Sequence, residues 1–428
     1  MTLNSKTIVV ATTTFLTGVL TQTSVNVGGN MPLAEFIVLA IMVVLVVQWV
    51  IQRRVPAEPF RMPFFWIFIA AQIIAFSAYV VSDLYRGSSS NDMIRGWSRM
   101  IFLGMDVVAF TCLFCAEASC FLWWQAGMML GGVLAMALDG AQFDAFWKFG
   151  LGGPVTVAVF LISPLFGRFL GVVLIGALAV LHLNLDFRSM GGICLSAAML
   201  LGVQMIPRQF RALILIPALV GGTALTFWMN NSQRGDDDER GNRSTVERTA
   251  MMMAASEAII ESPLIGQGSW FSNSRVMENF QLLRSEGARL AGVHGYAVEA
   301  EETNIAIHSQ ILVSVAEGGI FGGTFFIILG GMNVWALWYC TIRRASDAKT
   351  PIFIFFLLNA TWNLLFSPFS GAHRIGIAAG CGLMLLLWRE AHSPATAEEK
   401  SESDPEDPAD LREATSMTAA TNSAPVIP

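Results

Sequence analysis

The chain has 428 residues, of which 54% are hydrophobic and only 14% are charged. Because an average soluble domain is about 25% charged, this composition excludes an ordinary soluble enzyme, a disordered scaffold, a collagen-like chain and a disulfide-rich secreted domain. The net charge of −6 comes from residues 393–428, which hold eight acids and two bases. The remainder is balanced, so nothing in it indicates a nucleic-acid partner. The composition instead predicts an all-α polytopic membrane protein.

Apolar stretches long enough to cross a bilayer recur about twelve times, since a spanning helix takes about 20 mostly apolar residues. The predicted spans lie near residues 8–25, 33–51, 62–82, 100–117, 119–138, 151–167, 168–185, 190–206, 210–229, 319–341, 351–367 and 372–389. They divide the chain into four expected regions. These are spans one to nine in 1–229, a large outer loop with helices in 230–305, a membrane-surface helix with spans ten to twelve in 306–389, and a disordered acidic tail in 390–428.

Basic residues in the short loops set the expected orientation, because they concentrate on the cytoplasmic side. The basic loops after the second, eighth and tenth spans share one side. This places both termini in the cytoplasm and residues 230–305 outside the membrane. The connection with Arg86, Arg95 and Arg99 breaks the rule, because it falls on the outer side. Those three arginines are therefore candidates for a functional role.

Two ionisable side chains, Asp106 and His182, fall inside predicted spans. Such residues are functional candidates by default. The sequence names no partner for Asp106, and His182 lies near a span end, where a structural hydrogen bond is the favoured interpretation. The six cysteines lie in or beside apolar stretches, which indicates packing rather than metal or redox chemistry. We expect no cofactor and no bound metal.

The long outer loop contains a first predicted helix that begins with a capping box. Ser244 would be the N-cap and Glu247 the third helical residue, and Pro263 would end the helix after Glu261. Arg248 would then fall in the first turn, where a cation opposes the helix dipole. Either a pairing with Glu247 or a functional role explains an arginine there.

A second helix is expected to start near Thr303 and to end near Gly318-Gly319. Asn304 and His308 are four residues apart, so they would share one face of this helix. His308 would lie at the outer membrane surface. From position alone it is either a hydrogen-bonded structural histidine or a functional one.

Two stretches of the chain resemble motifs of the O-antigen ligase and polymerase superfamily. The stretch from Arg248 to Gly268, which ends in Pro-Leu-Ile-Gly-Gln-Gly, resembles its R…PLxGxG pattern, and residues 307–322 resemble its HNxxLxxxxExGxxG pattern. An arginine directly after the seventh span also belongs to the resemblance, and Arg188 stands there. The resemblance covers roughly residues 170–385. It departs where Ser309 replaces asparagine, and where Asp186-Phe187 replaces a small polar pair; both departures bear on the type of acceptor.

The resemblance implies a metal-independent glycosyltransferase of the bacterial inner membrane. Its partners would be an undecaprenyl-diphosphate-linked oligosaccharide, an acceptor glycan and membrane lipid, with a chain-length regulator or another assembly protein as a further candidate. Arg188 and Arg248 would clamp the leaving diphosphate, because arginine binds phosphate in a fork and keeps its charge. His308 would align or deprotonate the acceptor hydroxyl. Candidates for secondary diphosphate or glycan contacts are Arg95, Arg99, Asn304 and Arg374.

Within that superfamily, a polymerase of surface polysaccharide or exopolysaccharide is the favoured function, and a ligase to lipid A-core is the alternative. The loop 230–305 holds 12 acids against seven arginines, a poor match for a phosphate-rich core acceptor. A twelve-span secondary transporter is a more distant alternative, since no internal repeat is visible. A metal-dependent transferase would be expected to carry acids in the first outer loop, and residues 26–32 have none.

Overall fold

The structure is a computed structural model that describes residues 5–26, 30–52, 58–139, 146–215, 217, 239–271, 274–290, 307–369 and 371–392. Residues 393–428 of the expected acidic tail, and Asn304, lie outside these residues. The chain divides into a compact unit, Met1–Leu386, and a second unit, Leu387–Pro428. The described residues are mostly helical, which confirms the helical part of the predicted fold class.

The helices follow one another with short connections. In the first part of the chain they are α1 Ser5–Thr21, α2 Ala34–Gln52, α3 Pro63–Arg86, α4 Ser90–Ala116, α5 Cys120–Asp139, α6 Gly152–Ile162, α7 Gly167–Asn184 and α8 Arg188–Gln204. After these come α9 Glu239–Glu261, α10 Ser274–Leu290, α11 Gln310–Gly322, α12 Thr324–Trp338, α13 Thr350–Phe366 and α14 Gly371–Ala391. Between α1 and α2, the strands β1 Ser24–Asn26 and β2 Asn30–Pro32 pair antiparallel, with Val25 opposite Met31.

Seven of the described helical stretches are long and apolar enough to cross a membrane. They are Ala34–Ile51, Pro63–Arg86, Ser90–Ala116, Cys120–Leu138, Phe146–Asn184, Thr324–Arg343 and Gly371–Ala391. Two shorter apolar helices are α11 and α13. The predicted first and eighth spans correspond to α1 and α8, each of 17 residues, and most of the ninth predicted span lies outside the described residues. The count of twelve therefore stays a prediction.

Two helix starts differ from the sequence-based expectation. Helix α4 begins at Ser90 rather than near residue 100, because Ser89 caps it by accepting a hydrogen bond from the amide of Asp92 at 3.2 Å. Arg95 and Arg99 therefore lie on a helix and not in a loop. Helix α9 begins at Glu239, before the supposed capping box. Arg248 is consequently more than two turns inside α9, where the helix-dipole argument does not apply.

Helices α1 and α5 pack closely through glycines. A Cβ atom added to Gly18, Gly127 or Gly131 would lie closer than 3.0 Å to main-chain atoms of the opposite helix. Small residues allow helix backbones to approach in this way, which is a common source of helix association in membranes.

We expect Gly127→Ala to destabilise the protein by about 1–3 kcal/mol. The new methyl group would meet the carbonyl of Phe15 and the amide of Val19, and main-chain atoms cannot move aside as a flexible side chain can. Thermal unfolding of the purified protein in detergent measures the effect. Gly330→Ala, in α12, is the matched control, because no atom lies within 4 Å of its added Cβ. An equal effect of the two substitutions would contradict the close-packing account.

A charged cap fixes the connection between α12 and α13. Asp347 accepts hydrogen bonds from both Arg344 guanidinium nitrogens (2.7 and 2.8 Å) and from the amide of Thr350 (3.0 Å). Burial alone would raise the pKa of the Asp347 carboxyl, but the hydrogen bonds and positive charge of Arg344 outweigh it and hold the pKa at about 2.

This depressed pKa predicts an acid-dependent loss of stability. The unfolded aspartate titrates near a pKa of about 3.9, so the contribution of Asp347 is complete above that pH and is lost as the pH falls toward 2. Because the side chain is 45% exposed, solvent screening reduces the effect to about 1 kcal/mol or less. Unfolding of the wild type and Asp347→Asn at roughly pH 6 and roughly pH 3 measures it. A stability difference that did not shrink at the lower pH would refute the assignment.

Candidate functional site

The turn that follows α9 docks on α11 through main-chain hydrogen bonds. The amide of Gln267 donates to the carbonyl of Ala316 (2.8 Å), that of Gly268 to Glu317 (3.0 Å), and that of Ile320 to Pro263 (2.8 Å). The two segments of the family resemblance, which lie far apart in the sequence, are thus in direct contact. We call this contact the interlock, meaning residues 263–268 against residues 316–320.

The glycines of the two motifs are required by the interlock. Gly266 has a φ of 85° and Gly319 a φ of 66°, a region that other residues rarely adopt. A Cβ on Gly266 would lie closer than 3.0 Å to the carbonyl oxygen of Glu317, and one on Gly319 would meet the carbonyl of Leu264 in the same way. The pattern of glycines in the motifs is therefore explained by close backbone approach.

Glu317 belongs to the interlock, and this acidic residue is only 2% exposed. It forms an ion pair with Arg99 on α4. It also accepts hydrogen bonds from the hydroxyl of Tyr79 at 2.8 Å and from the amide of Trp270 at 3.0 Å. A buried carboxylate needs such partners. The guanidinium of Arg99, a predicted substrate contact, is therefore engaged with a buried acid.

Asp83 on α3 is a second buried acid and holds the neighbouring residues of the same turn. It accepts from the amide and hydroxyl of Ser269 (2.6 and 2.8 Å), from the hydroxyl of Ser88 (2.8 Å) and from the indole of Trp97 (2.8 Å). Four donors occupy its two oxygens, which compensates for the loss of water around the carboxylate.

Trp270 lies between these two acids in a strained conformation. Its φ is 65°, a left-handed value that costs a non-glycine residue about 1–2 kcal/mol. The hydrogen bond to Glu317 and the anchoring of Ser269 by Asp83 hold it there. The guanidinium of Arg95 lies over its ring, 4.4 Å from the ring centre, a distance typical of a cation–π contact.

His308 lies directly before α11 and not within a helix. Ser309 has extended backbone angles, and its hydroxyl caps α11 by accepting from the amide of Leu312 at 3.3 Å. The expectation that Asn304 and His308 share a helical face is therefore wrong at His308. Serine and asparagine are both strong N-caps, so Ser309 can do the capping that asparagine would do at this position.

His308 has charged neighbours that come from distant parts of the sequence. Arg248 and Glu247 on α9, and His373 at the start of α14, all interact with it electrostatically. Burial lowers the pKa of His308, and the positive charge of Arg248 lowers it further, while Glu247 opposes this. The imidazole is consequently neutral near pH 7. His373 is a neighbour that the sequence did not predict, because its only signal was its place beside Arg374 at the start of the last span.

Arg188 is the first residue of α8, directly after α7, where the resemblance predicts it. It forms an ion pair with Asp186 at 2.9 Å, and Asp186 has a φ of 55°. Its neighbours Phe187 and Met190 line a cavity of about 780 Å³ between α5, α6, α8 and α13, a volume within the usual range of ligand pockets. Among the described contacts, none joins Arg188 to His308 or Arg248.

Arg374 on α14 supplies the partner that the sequence could not name for Asp106. It pairs with Glu35 on α2 and, at 3.4 Å, with Asp106 on α4. All three side chains are buried. Arg374, another predicted substrate contact, is thus surrounded by acids. His182 accepts from the indole of Trp147 at 2.9 Å and lies 2.8 Å from the hydroxyl of Thr156, which supports a structural role.

Within the described part of the chain, no group of three or more histidine, cysteine or acidic side chains is placed to hold a metal ion. Comparison of the chain with models of protein families, with curated proteins and with solved structures finds no match. The fold and its apolar helices indicate a polytopic helical membrane protein.

Proposed function

We propose that this protein is an enzyme that transfers a glycan from undecaprenyl diphosphate to an acceptor hydroxyl at the outer face of the bacterial inner membrane. The observation that carries the proposal is the interlock. It joins the two motif segments by main-chain hydrogen bonds. Arg248 of the first segment also interacts electrostatically with His308 of the second. Within this class of enzyme, we propose a polymerase of surface polysaccharide or exopolysaccharide.

The side chains around His308 suit the proposed reaction. The acceptor oxygen forms a bond to the anomeric carbon while the bond from that carbon to the diphosphate oxygen breaks. Neutral His308 takes the proton of the acceptor hydroxyl, and its lowered pKa keeps it in the base form. Arg248 is exposed on α9 and available to stabilise the negative charge on the departing diphosphate.

Arg188 has a separate place in the proposal. It begins α8 beside the cavity that Phe187 and Met190 line. With twelve spans and both termini in the cytoplasm, Arg188, Arg248 and His308 all lie on the outer side, where the lipid-linked donor is used. Arg188 would then contact the lipid-linked donor at the mouth of this cavity.

A polymerase and a ligase need the same donor site and differ in the acceptor. The acid-rich composition of residues 230–305 favours a polymerase over transfer to a phosphate-rich core. A glycan profile of a deletion strain, resolved by chain length and by lipid attachment, separates the two. Single repeat units on the normal acceptor mean a polymerase, and long chains left on the carrier mean a ligase. An unchanged profile would overturn both and favour a transporter.

A further inference from the structure

We propose that Arg95 and Trp270 form a binding site for a phosphoryl group. The proposal deepens the proposed function and rests on it only in naming the donor's diphosphate as the natural occupant. The same chemistry would also suit the headgroup of an anionic phospholipid.

Arg95 has no carboxylate partner among the described residues, unlike Arg99 and Arg374, which are more deeply buried. Arg99, one helical turn away, pairs with Glu317, and Arg374 pairs with two acids. The half-buried guanidinium of Arg95 instead lies on the ring of Trp270. This cation–π contact holds the guanidinium at the ring and leaves its N–H groups available to donate hydrogen bonds to a ligand.

The indole nitrogen of Trp270 is a second unused donor. It is buried and has no hydrogen-bond partner among the described residues. Buried donors in native proteins are nearly always paired. The nitrogen of Trp97, a few residues from Arg95, shows the usual case, because it donates to Asp83 at 2.8 Å. An unused buried donor on the same ring that carries an unpaired guanidinium indicates a missing acceptor.

The backbone at Trp270 is held in a strained conformation, which fixes the position of its ring. Trp270 keeps its left-handed φ because Glu317 accepts its amide and Asp83 anchors Ser269. Strained residues of this kind concentrate at functional sites. Two buried acids and a strained turn thus fix one aromatic ring under one arginine.

The donor set selects the kind of ligand. A guanidinium and an indole N–H only donate hydrogen bonds. Phosphoryl oxygens only accept them and carry the negative charge that arginine prefers. A sugar hydroxyl would also require an acceptor. The geometry therefore points to a phosphoryl group and not to the glycan itself.

The test uses the full-length protein in phosphatidylcholine nanodiscs, titrated with inorganic pyrophosphate in a calorimeter. We expect Arg95→Gln and Trp270→Phe each to weaken binding by about tenfold or more. Phenylalanine keeps the aromatic ring and the backbone strain but lacks the N–H. Trp66→Phe is the matched control, since it removes an indole N–H that already has a partner, the carbonyl of Phe60 at 2.9 Å, and lies at the other end of α3 from Asp83. Its affinity should equal that of the wild type.

A second measurement distinguishes the two sources of phosphate. The protein is purified from membranes that contain phosphatidylglycerol, and the retained lipid is quantified. Loss of pyrophosphate binding in both variants assigns the site to a diphosphate, and loss of retained phosphatidylglycerol in both assigns it to a lipid headgroup. Wild-type behaviour toward both probes in Arg95→Gln and Trp270→Phe would overturn the proposal, as would an equal loss in Trp66→Phe. Neither measurement needs glycan transfer, so a failure of the proposed function is seen separately.

Discussion

Replacement of His308 by alanine is expected to lower glycan transfer by about 10²–10⁴-fold, the usual contribution of a general base. The imidazole lies just before α11 in an environment that lowers its pKa, so wild-type activity should persist as the pH falls through 6.5 and decline only below it. Transfer from a lipid-linked donor by the reconstituted protein, measured across pH, tests both statements. His392→Ala is the control, because that exposed histidine stacks on Trp388 in the other unit.

The neighbouring arginine provides a sharper signature than loss of activity. Arg248 lowers the pKa of His308 by its positive charge. Arg248→Gln should therefore move the acidic limb of the pH profile to higher pH, in addition to lowering the rate. A merely structural role for Arg248 would leave the position of that limb unchanged. Full activity of His308→Ala would remove the histidine from any catalytic role.

Glu317→Ala should unfold the protein more readily than any other single change near the site, with a loss of about 3–5 kcal/mol. The substitution leaves Arg99 as a buried charge without its acid and removes the acceptor of Tyr79 and of the Trp270 amide. Thermal unfolding in detergent measures the loss. Glu257→Ala, at an exposed position of α9, should stay within about 0.5 kcal/mol of the wild type.

A double substitution distinguishes the contribution of the Arg99–Glu317 ion pair to stability from that of the other hydrogen bonds of Glu317. If Arg99 and Glu317 are both replaced by leucine, no unpaired charge remains, and part of the stability lost in Glu317→Ala should return. A loss below about 1 kcal/mol in Glu317→Ala would show that the ion pair contributes little. No recovery in the double variant would show instead that the hydrogen bonds to Tyr79 and Trp270 dominate.

The sequence predicted the features of this molecule that depend on neighbouring residues. Long apolar runs predicted the helices, and Pro263 correctly marked the end of α9. The predicted start of α9 at Ser244 was wrong. The Ser244–Glu247 pattern can also occur inside a helix, and here the helix already begins at Glu239. His308 was wrongly placed in a helix because Ser309, the actual cap, resembles an ordinary polar residue in the sequence.

Long-range pairing could not be predicted, because it depends on which helix faces meet. Arg95 and Arg99 are one turn apart and both lie over the ring of Trp270, yet among the described contacts only Arg99 pairs with Glu317. Asp106 pairs with Arg374 on α14, which is far away in the sequence. His373 came near His308 by the same route. Each of these pairings results from how the helices pack, and the residues next to each partner in the sequence do not indicate it.

The interlock has a consequence for how this protein tolerates changes of length. Its hydrogen bonds join main-chain atoms, so they specify residue spacing more strictly than side-chain identity. A one-residue deletion between Pro263 and Gly268 would shift every later donor against α11 and pull α9, with Arg248, away from His308. Substitution of Leu264, whose side chain is exposed, would leave that spacing intact. Homologous chains with this site should therefore keep the length of the turn and its glycines constant, and vary at exposed positions such as Leu264.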